Sequence, residues 1–193
     1  MMLLIAGLLL FMIAHLVPTR PSLRAGLIGR LGEGPYKGLF SLVSAAGLVL
    51  IVLGYGQMQG LARGNPQLWT PPVWAKHVVF LLMIPALILL VAAYVPSRIR
   101  TAVGHPMLSA LMIWAFAHLL ANGDLASVLL FGSFLAYALY DRVSVTARPS
   151  PGPLGAATGS TRGDIIAVVV GLGLYALMLL WGHAWLIGVP LLP

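Results

Sequence analysis

Residues 38–62 read GLFSLVSAAGLVLIVLGYGQMQGLA and contain no Asp, Glu, Lys or Arg. As a helix, such a run exceeds the ~20 apolar residues needed to cross the hydrocarbon core of a bilayer. The pattern recurs along the chain. Further charge-free runs lie at 1–19, 77–97, 101–123, 125–140 and 165–193. They predict helices at 2–17, 36–56, 73–95, 107–121, 124–140 and 165–187. The shortest run is flanked by Asp124 and Asp141, whose carboxylates belong in the two headgroup layers. Composition supports this. Of 193 residues, 60% are hydrophobic and 8% charged, against about 25% charged in a typical soluble domain. So few charges cannot cover a water-facing surface, and a chain this apolar is not disordered. The expected fold is all-α, a polytopic transmembrane bundle of about six helices, forming one domain over residues 1–193.

Charge placement gives an orientation. The first, third and fifth connections hold Arg20, Arg24, Arg30 and Lys37; Arg98 and Arg100; and Arg142, Arg148 and Arg162. The second and fourth hold only Arg63 and Lys76. Basic loops stay on the cytoplasmic side. The expectation is therefore a bacterial inner (cytoplasmic) membrane protein with both termini periplasmic. The first span has no basic residue ahead of its apolar core and no small-x-small motif before Pro18. It is read as a retained helix stopped by Pro18 and Pro21. Residues 142–163, rich in Pro, Gly, Ser and Thr, read as a flexible cytoplasmic loop. Residues 57–72 read as an outer loop, with Trp69 and nearby Trp74 suited to the headgroup layer.

The net charge of +7 does not indicate nucleic acid, because the basic residues are sparse and separated by apolar runs. The absence of cysteine excludes disulfides, thiolate metal sites, iron–sulfur clusters and covalent haem attachment. No phosphate-binding loop, dinucleotide fingerprint, nucleophile elbow or His-Glu-x-x-His motif occurs.

Ionisable groups at membrane depth are costly, so the histidines lead the candidates. His118, in WAFAHLLANGD, is surrounded by apolar residues, with Trp114 one turn earlier on the same face. Such an imidazole needs a hydrogen-bond partner or a metal. His15 lies one turn before Pro18, near the cytoplasmic interface. His77 and His183 each lie about one turn from an outer helix end, where an interfacial role is simplest. His105 precedes Pro106 at a helix start, where capping is the ordinary role. His118 stands eleven residues beyond Met107, about 16 Å along a helix. By depth alone, His77 with His118 is therefore an easier pair than His15 with His118. Asn122 and Asp124 are suited to capping the following helix. Pro85 is expected to kink the third span, and Ser41, Ser44, Ala45 and Gly47 to form a close-packing strip.

The segments HLVPTRPSLRAGLIGRLGEGPYKGLFSLVSAAGLVLI (15–51), AAYVPSRIR (92–100) and GHPMLSALMIWAFAHLLANGDLASVLLFGSFLAYALYDR (104–142) closely resemble the NnrU family of bacterial membrane proteins. That family is associated with denitrification, so the resemblance implies a role supporting nitrite and nitric oxide reduction. The related 15-cis-zeta-carotene isomerase shares the domain and is a haem b enzyme with two axial histidines. Its ligand segments resemble HLVPTRPSLR and HPMLSALMIWAFAH here. The resemblance thus implies non-covalent haem b with His15 and His118 as metal ligands, His77 being the substitute favoured by depth. Trp114 would pack on the porphyrin, and Arg20, Arg24 or His105 would meet its propionates. The isomerase carries a cysteine three residues before its second histidine, where this chain has Ala115, so a ligand switch to sulfur cannot operate.

Three functions follow from the resemblance: a redox or nitric-oxide-responsive haem protein, an isomerase acting on a hydrophobic polyene, or a cofactor-free assembly factor for denitrification reductases. The corresponding partners are membrane lipid, the reductases or a hydrophobic small molecule. The Gly104-His105-Pro106 helix start is also similar to that of isoprenylcysteine and phospholipid methyltransferases. The only acids here are Glu33, Asp124, Asp141 and Asp164, too scattered for the acidic motif of those enzymes.

Overall fold

A computed structural model describes residues 1–60, 64–148, 152, 154–155 and 157–192. The helices are α1 (Met2–Leu16), α2 (Pro21–Leu31), α3 (Glu33–Gln59), α4 (Ala75–Ala92), α5 (Arg98–Val103), α6 (Pro106–Ala121), α7 (Leu125–Ser144), α8 (Thr161–Leu177) and α9 (His183–Ile187). A π-helical turn, Met178–Gly182, joins α8 to α9. The fold is all-α, and all six expected apolar helices form. Among the described residues, four stretches are long and apolar enough to cross a membrane: α3, α4, α7 and the continuous α8–α9 segment. The helices α1 and α6, of 15 and 16 residues, are shorter. At 1.5 Å per residue they reach about 22–24 Å of a ~30 Å hydrocarbon core. Adding α2 to α1 supplies the length, but the two are bent by 91°. The helices α2 and α5 lie in stretches expected to be loops.

The chain divides into two compact units, Met1–Pro72 with Asn122–Arg148, and Val73–Ala121 with Pro149–Pro193. The first holds α1, α2, α3 and α7. Its core is Leu4, Leu8, Ile51, Met58 and Ala126. Glycines let α1 and α3 approach closely, so that main chain packs on main chain. A Cβ on Gly7 would lie 2.6 Å from the Ile51 nitrogen, and one on Gly47 2.9 Å from the Phe11 nitrogen. A Cβ on Gly54 would fall on the Leu4 backbone. Of the expected strip on α3, Gly47 does meet α1, but Ser41 and Ala45 are exposed. The tight face instead continues through Gly54 to Met58.

The far end of this unit is pinned by Asp124, which caps α7. Its carboxylate accepts from the Ser127 amide (3.0 Å) and hydroxyl (2.6 Å), Asn65 Nδ2 (2.7 Å) and Gln59 Nε2 (3.0 Å). The capping role expected of this residue is what the structure shows. Because the Ser127 proton goes to Asp124, the Tyr55 hydroxyl donates to Ser127 Oγ at 3.0 Å. The 57–72 loop is drawn in as well: the Leu68 amide donates to the Gly123 carbonyl at 2.8 Å. Trp69 and Trp74 are 36% and 61% exposed. Arg63 of that loop lies outside the described residues.

In the second unit α4 packs against both α6 and α8, largely through alanines; Ala75, Ala86, Ala92, Ala115, Ala117 and Ala167 are at most 2% exposed. The helix α4 continues through Pro85. At one end, Asp164 ties α8 to α5, accepting from Arg98 Nε (2.8 Å) and the Ile99 amide (3.0 Å). Arg100 holds the carbonyls of Ala157 and Gly155. Of the expected 142–163 loop, residues up to Ser144 thus extend α7, and Gly155, Ala157 and Ser160 are anchored. Residues 149–151, 153 and 156 lie outside the described residues.

Gly54→Val should therefore destabilise the protein by ~2 kcal/mol or more, because the obstructing atoms are backbone. Gly56→Ala, with open space around the new Cβ, should leave the thermal midpoint unchanged in detergent. Burial pushes the Asp124 carboxyl up, but its four hydrogen bonds outweigh this and hold it below the usual carboxylate range. Its stabilisation is then complete above the unfolded-state value and is lost as pH falls through the folded one. Melting temperature should fall more steeply in the wild type than in Asp124→Asn between about pH 5 and pH 2.

Candidate functional site

His15 is the penultimate residue of α1 and half-buried. Its Nδ1 lies 2.8 Å from the Phe11 carbonyl one turn earlier. A carbonyl only accepts, so Nδ1 carries the proton and Nε2 the lone pair. Aromatic rings from three helices surround the imidazole. Phe11 of α1 stacks on it at 4.0 Å, Phe40 of α3 lies at 5.1 Å, and Tyr137 of α7 stands edge-on at 6.0 Å.

His118 repeats this local arrangement in the second unit. It is half-buried, and its Nδ1 lies 2.8 Å from the Trp114 carbonyl. The Trp114 ring is tilted against the imidazole at 5.1 Å. The tautomer is again fixed by the helix itself. The expected shared face of Trp114 and His118 is present.

The other candidates differ. His77, third residue of α4, is exposed. His105 is half-buried at the start of α6, its carbonyl accepting the Ser109 amide at 3.1 Å. Arg20 stands at the start of α2 and is exposed; Arg24 is exposed with its guanidinium 5.9 Å above the Tyr36 ring. His183, read from sequence as interfacial, is more constrained. It follows the π-helical turn, and its Nδ1 donates to the Val189 carbonyl at 2.7 Å. Left-handed Gly188, with φ 80°, turns the chain back to make this contact.

A buried ion pair beside His15 escaped the sequence reading. Asp141, expected in the headgroup layer, is 7% exposed and pairs with Arg148, which folds back from beyond the end of α7. Arg148 Nε also donates to Ser144 Oγ at 3.1 Å. The Tyr137 hydroxyl makes two long contacts, 3.5 Å to Asp141 Oδ2 and 3.4 Å to the His15 carbonyl. Buried Thr19, 6% exposed, closes the group: its carbonyl accepts from Ser144 Oγ at 3.4 Å. Residues 137, 141 and 144 share one face of α7, but Arg148 lies past the helix end, so spacing alone does not point to the pair.

This pair makes a mutational prediction. Arg148→Ala would leave a buried carboxylate without its cation and should cost about 3 kcal/mol. Replacing both members by leucine should cost clearly less, measured as unfolding midpoints in detergent.

The comparison with known proteins is consistent with the sequence. The model of a family described as "NnrU protein" matches residues 3–191, nearly the whole chain. No curated protein and no solved structure gives a match. With the match running from the first span to the last, the chain belongs to the NnrU family.

Proposed function

We propose that the protein is an integral membrane haem b-binding protein with a redox or nitric-oxide-responsive role supporting nitrite and nitric oxide reduction. The supporting observation is the shared local geometry of His15 and His118. Each lies within an apolar helix, has an aromatic ring against it and donates Nδ1–H to the carbonyl four residues earlier at 2.8 Å. That bond fixes ring orientation and tautomer and makes Nε2 the better donor, as a second-shell partner does for a metal-bound histidine. Among the described residues no group of three or more His, Asp or Glu is assembled for a metal ion. A bare ion would lack ligands there, whereas haem brings four nitrogens and needs only one or two more.

The residues would divide the work as follows. By the family resemblance alone, His15 and His118 would be the iron ligands, Trp114 would pack against the macrocycle, and Arg20 would meet a propionate. When bound, the haem supplies one-electron chemistry and a site for a small gas. His77 is the weaker substitute, because it is exposed. Polyene isomerisation is less well supported: the position of the isomerase's cysteine is Ala115, fully buried and without a thiol. The role in denitrification, the inner-membrane location, the periplasmic termini and any reductase partner come from the family and from loop charge.

Absorption spectra of the detergent-purified protein, oxidised and reduced, test the reading. A Soret band is expected, with His15→Ala and His118→Ala each altering ligation and His77→Ala leaving it unchanged. No Soret band after haem supplementation would remove the haem. Unchanged spectra in both alanine variants would move the site, with His183 the next candidate.

A further inference from the structure

Where α1 gives way to α2, the first unit contains an open pocket of about 300 Å³ lined by Pro18, Arg24, Tyr36, Lys37, Phe40 and Ser41. Three observations describe what it would accept. Two cations border it, and Arg24 is held over the Tyr36 ring. Tyr36 is 8% exposed, yet its hydroxyl is buried and has no hydrogen-bond partner among the described residues. Buried polar groups rarely stay unsatisfied, so this donor calls for an acceptor that the protein does not provide. The floor, from Pro18 and Phe40, is apolar.

The bend between α1 and α2 suits a pocket at a membrane surface. The helix α2 is bent 91° from the apolar α1, so it runs across the direction in which α1 enters the membrane. None of its residues is buried. Leu23, Leu27 and Leu31 recur every four residues along it, and Arg20, Arg24 and Arg30 lie at its start and along its length. At about 100° per residue these leucines and arginines interleave on one face of α2, so that face offers both apolar contact and positive charge.

We propose that this pocket binds the phosphate of an anionic phospholipid, with Arg24 and Lys37 supplying charge and the Tyr36 hydroxyl a hydrogen bond. The volume is at the small end of ligand pockets and suits a headgroup, leaving the acyl chains in the bilayer. Lys37 now pairs with Glu33 at 2.8 Å, both about two-thirds exposed (64% and 63%). A phosphate would compete with that carboxylate. The site does not depend on the haem reading, although Phe40 separates it from His15.

Native mass spectrometry of the full chain in detergent, titrated with phosphatidylglycerol or phosphatidylcholine, tests the proposal. One phosphatidylglycerol should be retained at least tenfold more tightly than phosphatidylcholine. Arg24→Gln with Lys37→Gln should weaken it about tenfold and Tyr36→Phe about threefold. Glu33→Gln should tighten it, by releasing Lys37. Arg30→Gln, on the same helix but outside the pocket, should change nothing. Equal retention of the two lipids, or an equal loss in Arg30→Gln, would reduce the effect to diffuse surface charge and overturn the site. Displacement of the lipid by millimolar inorganic phosphate would assign the pocket to free phosphate. Intact lipid binding in Arg24→Gln with a shifted haem spectrum would give Arg24 to a propionate. Either result overturns the lipid assignment.

Discussion

A polar group carried into hydrocarbon must find its partner within the protein, because no water is available there. This constraint shapes both units. His15 and His118 meet it locally, each by donating Nδ1–H to the carbonyl one turn back. The solution needs no second helix and no acidic residue, which suits a chain with only four acids. It has a chemical consequence: the proton is committed to Nδ1, so the ring offers a neutral donor nitrogen on its other side. The hydrogen bond that makes the histidine tolerable in an apolar helix also prepares it as a ligand.

Packing follows a related economy. Lipid is as apolar as leucine, so helices gain little by burying leucine against each other and must rely on close fit. Hence the glycine face between α1 and α3 and the alanine-rich core of α4, α6 and α8. Large apolar side chains such as Leu42, Val52, Leu81 and Trp185 remain exposed on the helices, where acyl chains would cover them. The charged side chains of Asp141 and Arg148 go below the surface as a pair.

The fold was readable because charge-free runs mark membrane helices directly. Each expected apolar helix forms, with ends a few residues from those read in the sequence. The helices α2 and α5 were missed because their arginines read as loop charge. Pro18 and Pro21 were read correctly as ending α1, but Pro21 also begins α2, where its missing N–H costs nothing. The candidate histidines were visible as costly residues at membrane depth. What held them was not visible, because their partners are backbone carbonyls that every residue carries. The Asp141–Arg148 pair was hidden for another reason: Arg148 lies past the helix end and reaches Asp141 only once the chain turns back.

The central claim is that helix-oriented imidazoles serve a haem iron. Electron paramagnetic resonance of the ferric protein, reconstituted with haemin in detergent, tests it most directly. The account predicts a low-spin signal from two imidazole nitrogens, lost in both His15→Ala and His118→Ala. A spectrum indistinguishable from haemin in detergent alone would contradict it.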